Sequence, residues 1–110
     1  MTNDIKFTEG SGNVFEDLGF DNPDEELAKA KLSSAIYDII EDRKLTWEEI
    51  EIILGINQSS ISLLLNGRLA DFSIERLFSF LLALDQDIDI VIHPKPKSRS
   101  GGINVTYAYV

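Results

Sequence analysis

Residues 45 to 67, LTWEEIEIILGINQSSISLLLNG, leave the backbone few choices. Thr46 with Glu49 at i+3 is a capping box, in which each side chain satisfies a backbone N–H left over at a helix start. Trp47, Ile50, Ile53 and Leu54 then fall at i, i+3, i+6 and i+7, one apolar stripe along a helix. Gly55 supplies the left-handed residue that commonly ends a helix. Asn57 can cap a second helix, in which Ile61 and Leu64 turn another stripe inward while Gln58, Ser59, Ser60 and Ser62 point away from it. The expectation is two short helices joined by a tight turn at a large crossing angle, neither able to bury its stripe without further elements.

The flanking segments have the pattern to supply those elements. Pro23, succeeded by Asp24, Glu25 and Glu26, suits the positive end of a helix dipole. Ala28, Leu32, Ala35, Ile36, Ile39 and Ile40 carry one apolar face onward, which predicts a helix to about residue 42. Arg43 and Lys44 stand at its end, where they complement the dipole and could also reach a phosphate. Beyond Gly67, Ser73 is an N-cap for a helix whose Ile74, Leu77, Phe78, Leu81 and Leu84 close the core. Phe80 and Leu82 lie off that face and are candidates for an oligomer interface or a loop contact.

The period changes after that. Ile88, Ile90 and Ile92 alternate with Asp87, Asp89 and Val91, the signature of a strand, and Pro94 and Pro96 stop it. Ile103, Val105, Tyr107 and Tyr109 alternate again. A strand must find a partner for its backbone groups, either within the chain or in a second subunit. At the other end, Val14, Phe15, Leu18 and Phe20 could pack as a short helical turn, and Gly10-x-Gly12 lacks the third glycine of a dinucleotide loop.

Composition narrows the functions. A length of 110 residues supports one core, and the absence of cysteine removes disulfide scaffolds, thiolate metal sites and thiol catalysis. Asp85, Asp87 and Asp89 imitate the opening of a calcium loop, but Ile90 and Pro96 stand where it needs glycine and glutamate. His93 is the one histidine, too few for a histidine-held zinc or a catalytic triad, and Asn104-Val105-Thr106 means nothing as a glycosylation acceptor without a secretory leader. Neither an enzyme nor a cofactor is expected, and a cytoplasmic location is. The net charge of −9 is concentrated: residues 1 to 42 hold 11 acids against 3 lysines, whereas residues 52 to 70 hold no acid and one base, Arg68. Whatever meets the second short helix is thus spared repulsion if it is a polyanion.

Leu45, Thr46, Leu54, Gly55, Ile56 and Gln58, with Asn66-Gly67 after them, resemble the helix-turn-helix of the lambda-repressor-like, XRE-type transcription regulators. Trp47 stands where that family usually has Gln, and Glu51 where it usually has Ala, a point of close approach between the two helices. Over residues 10 to 97 the chain is similar to the HigA-type antitoxins and their solitary XRE relatives, most specifically at NGRL-x-x-FSIERL and HPKP. The resemblance implies a mainly α bundle with a C-terminal β-strand used for dimerisation. It divides the chain into an N-terminal arm at 1–22, a DNA-binding domain at 23–86 and a strand segment and tail at 87–110. It implies a homodimeric repressor on a double-stranded DNA operator, with Gln58 and Ser59 at base edges and Thr46, Ser60, Ser62, Asn66 and Arg68 on phosphates or bases. Such proteins are often encoded beside a small basic RelE-like ribonuclease toxin, for which Asp21, Asp24, Glu25 and Glu26 are the expected contact. The alternatives are a solitary regulator, or a protein-binding module that holds a basic partner through its acidic half.

Overall fold

The computed structural model describes residues 23–98 and 101–108. Among these residues four helices occur in order: α1 Pro23–Arg43, α2 Trp47–Leu54, α3 Gln58–Leu65 and α4 Ile74–Ala83. The starts of α2, α3 and α4 are fixed by side chains, as the sequence predicts. Thr46, Asn57 and Ser73 each sit in extended backbone and accept from the N–H of the third residue on, Glu49, Ser60 and Arg76. At α2 the box is complete, with the Thr46 N–H donating to Glu49 Oε1 at 2.8 Å.

The ends are closed by left-handed residues. At Gly55, with φ of 69°, the N–H donates to Glu51 O at 2.8 Å. Gly67, with φ of 73°, ends α3 with paired bonds, its own N–H to Leu64 O and that of Arg68 to Leu63 O. The same pairing ends α1 and α4, but there the left-handed position is held by Lys44 (φ 53°) and Asp85 (φ 65°), neither of them glycine. Nothing in the local composition announces those two turns.

α1 packs chiefly on α4, and the α2–α3 pair packs against both, with α3 reaching α1 and α2 reaching α4. All six apolar residues expected on α1 are buried. Ile50 and Leu54 from α2, Ile61 and Leu64 from α3, and Leu77, Phe80 and Leu81 from α4 complete one core, joined by Ile56, Leu69, Phe72 and Leu84 from the connections. Ile36, Ile61 and Leu77 are fully excluded from solvent, each contributing roughly 1.5–3 kcal/mol by burial. Trp47, expected on the packed stripe, stands 45% exposed. A helical side chain leans back over the turn before its own Cα, and the first residue of a helix has no such turn beneath it. Phe80 is buried because Phe72 packs edge-to-face against it, centroids 5.9 Å apart, with the Arg76 guanidinium over both rings. Leu82 remains exposed.

The C-terminal β-strand is not formed, and the fold among the described residues is all-helical. Ile90, Val91 and Ile92 are exposed by 70%, 80% and 92%, so their alternation creates no buried face. Alternation sorts side chains between two sides, but a strand exists only when a second segment satisfies its backbone. The segment that could have paired within the chain is engaged elsewhere. Val105 and Tyr107 pack on the helical core, Lys31 Nζ donates to Asn104 Oδ1 at 3.4 Å, and Gly102 lies against the Asp24 carboxylate. Residues 102 to 107 therefore run alongside α1 in its own direction. Burial raises the Tyr107 phenol above its ordinary value, Asp38 and Asp42 push it the same way, and Arg43 opposes them. The expected turn of helix at Val14, Phe15, Leu18 and Phe20 lies outside the described residues.

Candidate nucleic-acid interface

α3 owes its orientation to the side chains beneath it. Ile61 and Leu64 are sunk in the core, Ile56 is buried in the turn, and Asn57 Oδ1 holds the first turn of α3 through the Ser60 N–H at 2.8 Å. Eight residues are too few for a helix that stands alone, so this outward face is as rigid as the core that carries it. Gln58, Ser59 and Ser62 are exposed on it, and Ser60 is half-buried. Arg68 is exposed just beyond its C-terminal end.

The seven residues expected at DNA divide into two groups. Gln58, Ser59, Ser62 and Arg68 project from α3 or its end. Thr46 and Asn66 are engaged through their side chains in shaping the motif, and Ser60 through its backbone N–H. The Thr46 hydroxyl accepts from the Glu49 N–H at 3.2 Å, yet as a hydroxyl it keeps a proton to donate to a phosphate. Asn66 Nδ2 donates to Ser62 O at 2.8 Å and to Ser62 Oγ at 3.3 Å, which ties the last turn of α3 to its own cap. Arg43 turns inward instead of outward: Nη2 donates to the Leu84 carbonyl at 2.8 Å and Nη1 lies 3.9 Å from Asp85. It stitches the end of α1 to the end of α4 and is not available as a phosphate contact in that position.

One contact at the interface goes beyond the sequence pattern. Gln58 Nε2 donates to Glu51 Oε1 at 3.3 Å, across the turn between α2 and α3. The only hint in the sequence is the carboxylate at a position where a small residue is usual.

The acidic residues expected at a protein partner are partly occupied within the chain. Lys29 Nζ lies 3.6 Å from Glu26 and 3.9 Å from Glu25, and its side chain is only 8% exposed. Asp24 faces the Gly102 backbone, and Asp21 lies outside the described residues. No helix among the described residues is long and apolar enough to cross a membrane.

A helix-turn-helix domain family matches residues 14–93. No curated protein matches the chain. A solved structure described as a putative XRE family transcriptional regulator is 42% identical, with a TM-score of 0.71, over 77% of this chain and 97% of that one. The short capped helices, the uncharged face of α3 and this similarity across nearly the whole of a relative agree: the chain belongs to the XRE family of helix-turn-helix transcriptional regulators, which bind DNA.

Proposed function

We propose that the chain is a sequence-specific, non-enzymatic, cytoplasmic repressor that binds its operator as a homodimer. The observation that supports this most is the face of α3, where Gln58, Ser59 and Ser62 stand exposed on buried Ile61 and Leu64, with no acid between residues 52 and 70. Uncharged hydrogen-bonding side chains on a rigid helix suit base edges in a major groove, and Gln is matched to adenine. With Arg68 the one base in that stretch, a single copy has little hold on phosphates. A dimer doubles it and sets two copies of α3 about 34 Å apart, one turn of DNA. Light scattering with and without operator tests this: a chain that remains monomeric on DNA at micromolar concentration refutes it.

The acidic excess favours a second role, as the antitoxin of a basic RelE-like ribonuclease. A net −8 over residues 1 to 42 would draw a cationic protein. Against it, Glu25 and Glu26 already face Lys29. Co-expression with the neighbouring small open reading frame decides the matter. Co-purification that is lost in Glu25→Lys/Glu26→Lys supports the contact, and the absence of a partner leaves a solitary regulator.

A further inference from the structure

The Gln58–Glu51 bond bears on which base the regulator accepts. A free glutamine amide can present its oxygen or its nitrogen to a base, and the two orientations differ by a flip. Next to a carboxylate only one is favourable, since Oε1 of Glu51 accepts and cannot donate. The 3.3 Å contact therefore directs Nε2 of Gln58 toward α2 and leaves its Oε1, with the second amide hydrogen, to the solvent side. The bond is long and exposed to solvent, but its acceptor is charged, which strengthens it.

From this we infer that Glu51 is a positioning residue for base recognition, selecting adenine and rejecting guanine at the base pair that Gln58 meets. The inference rests on the reading of Gln58 as a base contact. Adenine offers an N6 donor and an N7 acceptor, which match the exposed oxygen and the remaining N–H of the held amide. Guanine offers two acceptors, O6 and N7, and would need both amide hydrogens, one of which is committed to Glu51. The carboxylate adds repulsion toward those same acceptors and toward nearby phosphates. Glu51 thus lowers affinity for DNA in general while sharpening the choice at one position, a repulsive element that serves specificity.

Two effects separate this role from a merely structural one. In Glu51→Ala, affinity for mismatched duplexes rises while the adenine-over-guanine preference at the Gln58 position falls by about tenfold, within the range expected for losing a bidentate pair. In Glu51→Gln, whose amide can donate as well as accept, the preference falls and the melting temperature holds. The experiment is selection from a randomised duplex pool by the full-length wild type, with fluorescence anisotropy then measured on the selected duplex and its single-base variants. It is run for wild type, Glu51→Ala, Glu51→Gln, Gln58→Ala and the double variant Glu51→Ala/Gln58→Ala. The expected result is a preference change in Glu51→Ala that disappears in the Gln58→Ala background. If Glu51→Ala alters affinity for all duplexes equally, or has the same effect with and without Gln58, the positioning role is refuted while Gln58 keeps its place at the base. If Gln58→Ala binds DNA but changes preference at no position, the base contact itself is refuted and the inference falls with it.

Discussion

Asp85 occupies a left-handed backbone position without being glycine, and replacing it by Gly should stabilise the fold. At φ of 65° its Cβ crowds the next carbonyl, at a cost of about 1–2 kcal/mol, nearer the lower figure for an Asp. Its charge also lies at the C-terminal end of α4, where the dipole disfavours an anion by about 0.3–1 kcal/mol. Two effects oppose these. Glycine gives the unfolded chain about 0.4–1 kcal/mol more entropy to lose, and the exposed 3.9 Å pair with Arg43, worth about 0–1 kcal/mol, disappears. The balance favours the variant by about 0.5 kcal/mol, or about 2–4 °C in Tm. Gly55→Ala is the mirror experiment. A Cβ built on Gly55 meets nothing within 4 Å, so its cost is backbone strain alone, about 1–2 kcal/mol less the unfolded-state gain, and the variant should melt lower by a few degrees. Urea unfolding at constant m-value measures both. A destabilised Asp85→Gly would mean that the Arg43 bridge outweighs backbone strain and would refute the reasoning. A loss of several kcal/mol in Gly55→Ala would mean that the turn is crowded after all.

Arg68→Ala should weaken binding to every duplex alike and flatten the dependence of log affinity on log salt, as the proposed phosphate contact of this exposed guanidinium requires; anisotropy across a salt series reads both. Phe72→Ala should lower the unfolding free energy by about 3–5 kcal/mol, since it removes a buried ring together with its edge contact to Phe80 and the Arg76 stack; a urea melt with a loss under about 1 kcal/mol would contradict the packing. The Tyr107 phenol holds its proton more tightly in the folded chain than its ordinary value of 10.0 implies. Its contribution to stability is therefore complete below that pH and is lost as pH rises through the folded value. Ultraviolet titration of the wild type minus Tyr107→Phe should show a phenolate appearing above pH 10.0, and a midpoint at or below it would contradict the burial.

The caps and the six buried positions of α1 were legible because they depend on chemistry within one or two turns of chain. Thr46, Gly55, Asn57 and Ser73 each satisfy a backbone group a few residues away. Features that depend on distant segments were not legible. Phe72 in a connection gives no periodic signal for burial, and Phe80 lies off its helix's apolar face in the sequence yet is buried with Phe72 beside it. The alternation at residues 87 to 92 could specify faces but not a partner, and residues 102 to 107 lie along α1 instead of beside it as a strand. At the interface, the uncharged face of α3 was readable from Gln58, Ser59 and Ser62. The occupation of Asn66 by Ser62, of Arg43 by Leu84 and of Gln58 by Glu51 was not, since each is a geometric coincidence between groups that sequence spacing leaves undetermined.

The brevity of α3 has a consequence for how such a regulator leaves the operator. An eight-residue helix whose inner residues, Ile61 and Leu64, belong to the common core cannot persist once that core opens. The reader and the fold are lost in one event, so no nicked or half-folded remnant retains a working recognition surface to compete for the site. A protease that captures the opened chain would remove binding activity in whole molecules and leave no tail of weakened copies.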